Sequence, residues 1–182
     1  MGKKILVLTG SSRVGGNSDL LAEAFIKGAV SAGNTVERFD AGRHTINSCR
    51  ACDACYKNGD ACVFDDDFNT LAPMLIHADV LVFATPLYWY SFPASIKFAI
   101  DKIYSFVVEQ KKSSIREAML LTCGEIKEER VFEGMIKTYE LILEDRGWID
   151  RGQLIVPNVN KVGDILQTDA LLRAEEMGKL FI

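Results

Sequence analysis

Apolar and polar residues follow one another in blocks along the chain, and five short segments have the pattern of β-strands. These segments are residues 4–8, 35–40, 80–85, 118–123 and 148–156. The first and third are apolar almost throughout, which is typical of parallel strands that are buried on both faces. Other elements must therefore pack against each face of the predicted sheet.

Between the strands, apolar residues recur at spacings of three and four, which predicts helices. The first helix begins near Asp19, Asp67 caps a helix that runs through His77, and the last helix extends from about Thr168 to the C-terminus. Three of the predicted helical faces consist of Leu21, Ala24, Phe25 and Gly28, of Ile96, Ile100, Ile103 and Phe106, and of Phe132, Met135, Tyr139 and Ile142. Alternating strands and helices predict an α/β three-layer sandwich, a parallel sheet with helices on both faces. Five strands fit the flavodoxin-like order 2-1-3-4-5.

The length of the chain favours a single domain, and its charge does not favour a protein that binds nucleic acid or membranes. The 182 residues are predicted to form a single domain, residues 1–182, with a long irregular segment at 41–66 inserted after the second strand. The net charge is −4 and no block is rich in Lys or Arg, so neither nucleic acid nor an anionic membrane is indicated as a partner. No apolar run approaches the roughly 18 residues of a membrane span. We therefore expect a cytoplasmic protein.

The loop after the first strand has the composition of a phosphate-binding site. Residues 9–18 read Thr-Gly-Ser-Ser-Arg-Val-Gly-Gly-Asn-Ser and lead into a helix N-terminus, which attracts anions. No Gly-Lys-Ser/Thr closes this loop, and its glycines do not have the G-x-G-x-x-G spacing of dinucleotide sites. A loop with hydroxyls and one Arg suits a single phosphate, as on FMN. The alternative is a flexible turn without a ligand.

The loop after the third strand is aromatic. Residues 85–93 contain Tyr88, Trp89, Tyr90 and Phe92. A flat isoalloxazine ring needs aromatic or apolar walls of this kind, although packing in the core or at a subunit interface is the alternative explanation. The carboxyl ends of parallel strands meet at one edge, so the loops at 9–18, 85–92 and 122–125 are predicted to converge.

These motifs together resemble the NAD(P)H-dependent FMN reductase branch of the flavodoxin-like superfamily. The resemblance rests on Gly10-Ser11-Ser12-Arg13, Gly16-Asn17-Ser18 and Thr85-Pro86-Leu87-Tyr88-Trp89. It implies that FMN is bound by Ser11, Ser12, Arg13, Gly16, Asn17 and Ser18 at the phosphate, by Pro86, Leu87, Tyr88, Trp89 and Tyr90 at the ring, and by Thr122, Cys123 and Gly124 at the ring's border. It also implies a homodimer or homotetramer with FMN near an interface, where Tyr90 and Phe92 are candidates for contact.

Four of the five cysteines lie in the irregular segment, at Cys49, Cys52, Cys55 and Cys62. Tight thiol clusters bind iron–sulfur clusters or zinc, and the C-x2-C-x2-C-x6-C spacing resembles the motif with which iron–sulfur flavoproteins of the same family hold a [4Fe-4S] cluster. Zinc, free thiols and a redox-active pair such as Cys52 and Cys55 are the alternatives. Cys123 is expected to be a small buried residue.

The leading hypothesis is an oxidoreductase in which NADH or NADPH passes hydride to flavin N5. No side chain is predicted to be catalytic, because the flavin carries the chemistry. The reduced flavin would pass electrons to a quinone, a free flavin, a nitro or azo compound, or a metal ion. The alternatives are a non-enzymatic FMN electron-transfer protein, with or without a cluster, and a thiol-based or zinc-binding regulatory module without flavin.

Overall fold

A computed structural model describes residues 2–181, and its centre is a five-stranded parallel sheet. The strands are β1 (Lys4–Thr9), β2 (Thr35–Asp40), β3 (Val80–Pro86), β4 (Glu117–Cys123) and β5 (Ile149–Val156), in the order β2-β1-β3-β4-β5. The predicted fold class and strand order are therefore confirmed. The order reverses at β1 and β3, which places the loops that follow these strands next to each other.

Helices cover both faces of this sheet. They are α1 (Asn17–Ser31), α2 (Phe68–His77), α3 (Ala94–Lys102), α4 (Tyr104–Val108), α5 (Glu133–Arg146) and α6 (Ala170–Gly178). Helices α1 and α6 pack on one face through a core that includes Phe25 and Phe181, and α2, α3 and α5 pack on the other around Phe83 and Tyr139. Over residues 2–181, each helix is too short or too polar to cross a membrane.

The structure changes some details of the predicted helices. Helix α1 begins at Asn17, two residues before the expected start, and the last helix begins at Ala170 rather than Thr168. The apolar repeat from Ile96 to Phe106 belongs to two helices, because the helix is interrupted at Ile103, between α3 and α4. In α5 the buried face continues through Leu143 rather than Ile142, one full turn beyond Tyr139.

The segment at 41–66 is irregular, as predicted, apart from a short 3-10 helix at Ala41–Arg43. Asp67 does not cap α2 through its side chain, because its carboxylate accepts a hydrogen bond from the Thr45 N–H at 2.7 Å. Asp66 supplies the cap instead, accepting from the Phe68 N–H at 3.0 Å. Asp66 also forms a buried ion pair with Lys102 of α3, so the irregular segment is anchored to the core.

Candidate active site at the carboxyl edge of the sheet

A cavity of about 580 Å³ lies at the carboxyl ends of the strands, where the sequence predicts it. The predicted cofactor-binding residues line it, with the exceptions of Ser12 and Thr122. The lining includes Ser11, Arg13, Gly16, Asn17, Ser18, Pro86, Leu87, Tyr88, Trp89, Tyr90, Cys123 and Gly124. The fold thus brings together three loops that are separated by as much as a hundred residues in the sequence.

Ser12 and Thr122 do not line the cavity. Ser12 is exposed, whereas Thr122 is fully buried, and its hydroxyl has no hydrogen-bond partner among the described residues. Successive strand residues point to opposite faces, so Cys123 reaches the cavity and its neighbour Thr122 does not. Sequence adjacency in a motif did not distinguish these orientations.

The loop between β1 and α1 presents donors to the cavity. The N–H of Arg13 donates to Ser11 Oγ at 3.1 Å, and Gly16 closes the turn by donating to the Arg13 carbonyl at 3.3 Å. Gly15 adopts a left-handed φ of 67°, which glycine accepts without strain. Gly16 is the N-cap of α1 and has no side chain to satisfy the first-turn N–H groups, so these remain available to an anion.

Asn17 has a structural function that the sequence did not reveal. Its Nδ2 donates to the Lys161 carbonyl at 3.0 Å, and its Oδ1 accepts from the Ile165 N–H at 3.3 Å. These bonds hold the loop after β5 against the start of α1. Val159, Asn160 and Val162 of that loop line the cavity and were not predicted, although the position of the loop after a fifth parallel strand was a signal for them.

The aromatic loop forms a tight two-residue turn. Tyr88 and Ser91 exchange backbone hydrogen bonds at 3.1 and 3.0 Å, and the central residues Trp89 and Tyr90 have left-handed φ values of 46° and 64°. Such turns favour Asn-Gly, and each bulky left-handed residue costs on the order of 1–3 kcal/mol. This turn holds the Trp89 side chain 92 % exposed at the cavity mouth.

Phe92 differs from the other aromatic residues of this loop. It was expected to be a candidate for a subunit interface, but it is only 5 % exposed and its ring lies 5.3 Å from that of Phe83 in the core. The expectation for Phe92 is therefore wrong, and the residue anchors the loop to the sheet. Tyr90 remains half exposed.

The loop after β4 closes the cavity beside the aromatic turn. The Leu87 N–H donates to the Cys123 carbonyl at 2.8 Å, and a Cβ at Gly124 would lie 3.1 Å from the Phe132 ring and 3.4 Å from Leu87. Burial raises the pKa of the Cys123 thiol to about 12, so it stays neutral. Glu125, which lies within the predicted loop at 122–125 but was not named as a binding residue, also lines the cavity, as does Ile126, which lies outside that range.

This arrangement fits FMN in size and in donor set. Ligand cavities of about 300–1,000 Å³ are usual, and this one has both a polar and an apolar part. The polar part combines the Arg13 guanidinium with a helix N-terminus and the Ser11 and Ser18 hydroxyls, as a phosphate requires. The apolar part consists of Leu87 and the aromatic turn, as a flat ring requires.

The four clustered cysteines lie around a second cavity, of about 20 Å³, with Lys102 and Ser105 in its wall. Cys49 and Cys52 are exposed and Cys55 and Cys62 are partly buried, all as free thiols. Burial, followed by the neighbouring Cys52 thiol, raises the pKa of Cys55. Four cysteines from one loop therefore line one small space.

The arrangement of these thiols does not fit an assembled metal centre. Among residues 2–181, no three His, Cys, Asp or Glu side chains stand close enough to hold a metal ion. A cavity of about 20 Å³ has room for a group of about the size of one water molecule, which is less than a four-iron cluster needs. The predicted ligand set at Cys49, Cys52, Cys55 and Cys62 is thus gathered but not in ligating geometry.

Sequence comparison places these features in a family. The family model of NADPH-dependent FMN reductase matches residues 3–124. YwqN of Bacillus subtilis, provisionally named an NAD(P)H-dependent FMN-containing oxidoreductase, is 25 % identical over 94 % of this chain and 93 % of its own length. The iron–sulfur flavoprotein of Methanosarcina thermophila is 28 % identical over 62 % of this chain and 58 % of its own length.

Solved structures show the same fold. An NAD(P)H:quinone oxidoreductase from Methanothermobacter marburgensis superposes with a TM-score of 0.74 at 22 % identity, over 98 % of this chain and 96 % of that one. An azoreductase from Bacillus anthracis superposes with a TM-score of 0.72 at 18 % identity, over 98 % and 100 % of the two chains. At these identities the likeness establishes the fold, whereas the family model covers the loop between β1 and α1, the aromatic turn and β4. The chain therefore belongs to the NADPH-dependent FMN reductase family and is an NAD(P)H-dependent oxidoreductase with the flavodoxin-like fold.

Proposed function

We propose that the cavity at the carboxyl edge binds FMN, with its phosphate at the loop of residues 11–18 and its ring between the aromatic turn and the loop after β4. The observation that carries this proposal is the division of one cavity into a cationic, hydroxyl-rich part and an apolar, aromatic part. Both parts belong to the segment that the family model matches.

The residues of the loop at 11–18, the phosphate loop, bind and orient the phosphate group of FMN. The Arg13 guanidinium neutralises part of the phosphate charge, and charge-assisted hydrogen bonds of this kind are the stronger ones. The first-turn N–H groups of α1 add the positive end of the helix dipole. Ser11 and Ser18 are buried, and Ser11 Oγ accepts from the Arg13 N–H at 3.1 Å, which holds this hydroxyl in place before a ligand arrives.

The residues around the ring shape the reaction space. Bound FMN supplies a ring that takes up hydride from NAD(P)H and delivers electrons to an acceptor. Leu87, Tyr88 and Cys123 line the cavity and would shield one side of that ring from water. Trp89 lies at an open mouth, so a second flat molecule can reach the cavity. No side-chain acid or base is required by this scheme.

We propose that the acceptor is a small planar compound, such as a quinone, a free flavin, or a nitro or azo compound. The exposed aromatic turn supports this, because flat π-systems stack on aromatic side chains. The structural neighbours named as quinone oxidoreductase and azoreductase support the same class. A metal ion is the alternative acceptor. An electron-transfer protein that does not react with nicotinamide is the alternative function that the experiment below separates from the enzyme.

The experiment is FMN titration followed by rapid mixing with NADPH and NADH. Arg13→Ala is expected to weaken FMN binding by about tenfold or more, since a hydrogen bond to a charged group contributes roughly 1.5–3 kcal/mol. Arg173→Ala on α6, whose side chain is 56 % exposed and pairs only loosely with Asp169 at 3.8 Å, is the matched control and should bind like the wild type.

Rapid bleaching of the flavin by either nicotinamide supports the enzyme. FMN binding without bleaching would support the electron-transfer protein instead. Failure of the wild-type protein to bind FMN would overturn the proposal.

A [4Fe-4S] cluster on the four cysteines stays a prediction. Their spacing and the relatives named as iron–sulfur flavoproteins support it, and loading would require the loop at 41–66 to open around a larger group. The visible absorption spectrum of protein purified without oxygen tests whether the cluster is present, since a cluster adds a broad absorption background to the two flavin bands. One domain over residues 1–182, a homodimer or homotetramer, and a cytoplasmic location also stay predictions.

A further inference from the structure

Four charged side chains form a connected network behind the phosphate loop. Asp19 of α1 pairs with Arg38 of β2 and accepts from Arg43 Nη2 at 3.2 Å. Arg38 also donates to Asp40 at 2.7 Å, and Arg43 lies 3.5 Å from the same carboxylate. We refer to Asp19, Arg38, Asp40 and Arg43 as the charged quartet. The quartet does not line the cavity, so ligand contact does not explain it.

The quartet is tied directly to the backbone of the loop. Asp19 Oδ2 accepts from the Gly15 N–H at 2.7 Å, and the Asp19 side chain is only 4 % exposed. On the other side, a Cβ at Gly42 would lie 2.5 Å from the carbonyl carbon of Ser11, so the 3-10 helix that carries Arg43 rests on the loop. A change in the quartet is therefore transmitted to the loop without any intervening residue.

The charges of the quartet balance. Burial lowers the pKa of Arg38, but hydrogen bonds to Asp19 and Asp40 outweigh this and raise it overall. Burial likewise raises the pKa of Asp40, and hydrogen bonds from Thr9 and Arg38 reverse the direction. Two carboxylates and two guanidinium groups make the network neutral overall. Arg13, which is not part of the quartet, contributes a positive charge to the cavity lining.

This neutrality matters because Asp19 stands in the first turn of α1, where a phosphate dianion is expected. A buried carboxylate that is one hydrogen bond away from the loop would repel that dianion if it were unpaired. We propose that Arg38, assisted by Arg43, is a positioning residue that neutralises Asp19 and thereby sets the preference of the site for FMN over riboflavin. The inference rests on the proposed FMN site and adds residues that never touch the ligand.

The test compares FMN with riboflavin, which has the same ring and no phosphate. Arg38→Met should weaken FMN binding by about tenfold or more and change riboflavin binding by less than about twofold. The double variant Asp19→Asn with Arg38→Met should restore FMN affinity to within about threefold of the wild type, because Asn keeps an acceptor for the Gly15 N–H and removes the charge. Equilibrium titration by flavin fluorescence gives the affinity of each of the three proteins for each of the two ligands.

Arg43→Gln provides a milder variant if Arg38→Met does not fold. This variant should weaken FMN binding by about threefold and leave the affinity for riboflavin unchanged. Arg146→Gln, at the opposite end of the sheet, is the matched control, because its side chain is 32 % exposed against 30 % for Arg43.

Equal losses of affinity for FMN and riboflavin would mean that the quartet only stabilises the loop as a whole, and would overturn the inference. So would unchanged affinity for both ligands. A wild-type protein that binds riboflavin as tightly as FMN would contradict the proposed phosphate site itself, which keeps the two failures distinguishable.

Discussion

Single residues at the carboxyl edge differ sharply in exposure, and this decides their chemistry. Cys123 is 3 % exposed at the wall of the large cavity, whereas Cys49 and Cys52 are exposed in the irregular segment. A thiolate is the reactive form of cysteine, and burial in apolar surroundings disfavours it. We therefore expect the buried Cys123 to be unreactive and the exposed Cys49 and Cys52 to be accessible to reagents.

Alkylation should separate these classes. With iodoacetamide at pH 8, Cys49 and Cys52 should react within minutes, and Cys123 should remain unmodified, because its pKa of about 12 leaves almost no thiolate. Mass spectrometry of peptides locates the label. In denaturant all the cysteines should react, which is the control for reagent access. Labelling of Cys123 in the folded protein at the rate of Cys49 would contradict the burial of its thiol.

At the level of elements, helices α1 and α6 approach each other through glycines. A Cβ at Gly28 would lie 1.9 Å from the Glu175 carbonyl oxygen, and one at Gly178 would lie 2.3 Å from that of Phe25. These helices cover one face of the sheet, and α1 begins at the end of the loop at which we propose that the phosphate binds. The close backbone contact therefore fixes the direction in which the helix N-terminus points.

Gly28→Ala should destabilise this contact. The added methyl group cannot be accommodated without moving α6, and overpacking of this kind costs about 1–3 kcal/mol. Urea unfolding measures the free energy directly. Val30→Ala, on the same helix and 54 % exposed, should change it by less than about 0.5 kcal/mol. A stability equal to that of the wild type in Gly28→Ala would mean that the two helices are less closely packed than described.

For the molecule as a whole, a buried ion pair links the irregular segment to the core. Asp66 and Lys102 have side chains that are 1 % and 3 % exposed. Burial raises the pKa of Asp66, but hydrogen bonds from Lys102 and from two backbone N–H groups lower it below its ordinary value. A carboxyl with a depressed folded pKa contributes stability above about pH 4, and that contribution is lost as the pH falls through the folded pKa.

Acid unfolding tests this contribution. The free energy of unfolding of the wild type should fall as the pH drops below about 4, and Asp66→Asn should flatten that fall. The variant should also be about 3 kcal/mol less stable at pH 7, because it leaves a buried ammonium group unpaired. Asp101→Asn, which breaks the exposed pair with Lys97 on the same helix, should cost less than about 1 kcal/mol. If the free energy of unfolding had the same dependence on acidic pH in Asp66→Asn and in the wild type, Asp66 would not contribute to the acid sensitivity of the fold.

The sequence by itself determined the sheet, its order and most of the cavity lining. Buried parallel strands are apolar along their whole length, and their loops must meet at one edge, so local pattern and a topological rule were enough for the three converging loops. The individual residues Ser11, Arg13, Tyr88 and Gly124 followed from the resemblance of these loops to a known family. The four clustered cysteines were likewise recognisable from spacing. These features are local in the chain, and a linear pattern records them.

Only the tertiary structure decided which way side chains point and which distant residues meet. Asn17 contacts a loop more than 140 residues away, Phe92 turns into the core, and Arg38 neutralises Asp19 from the neighbouring strand. Among residues 2–181, the side chains of the cysteine loop do not come close enough together to ligate a metal ion, which their spacing alone did not indicate. Each of these outcomes depends on contacts between segments that are remote in sequence, where packing and charge neutralisation prevail over local preference.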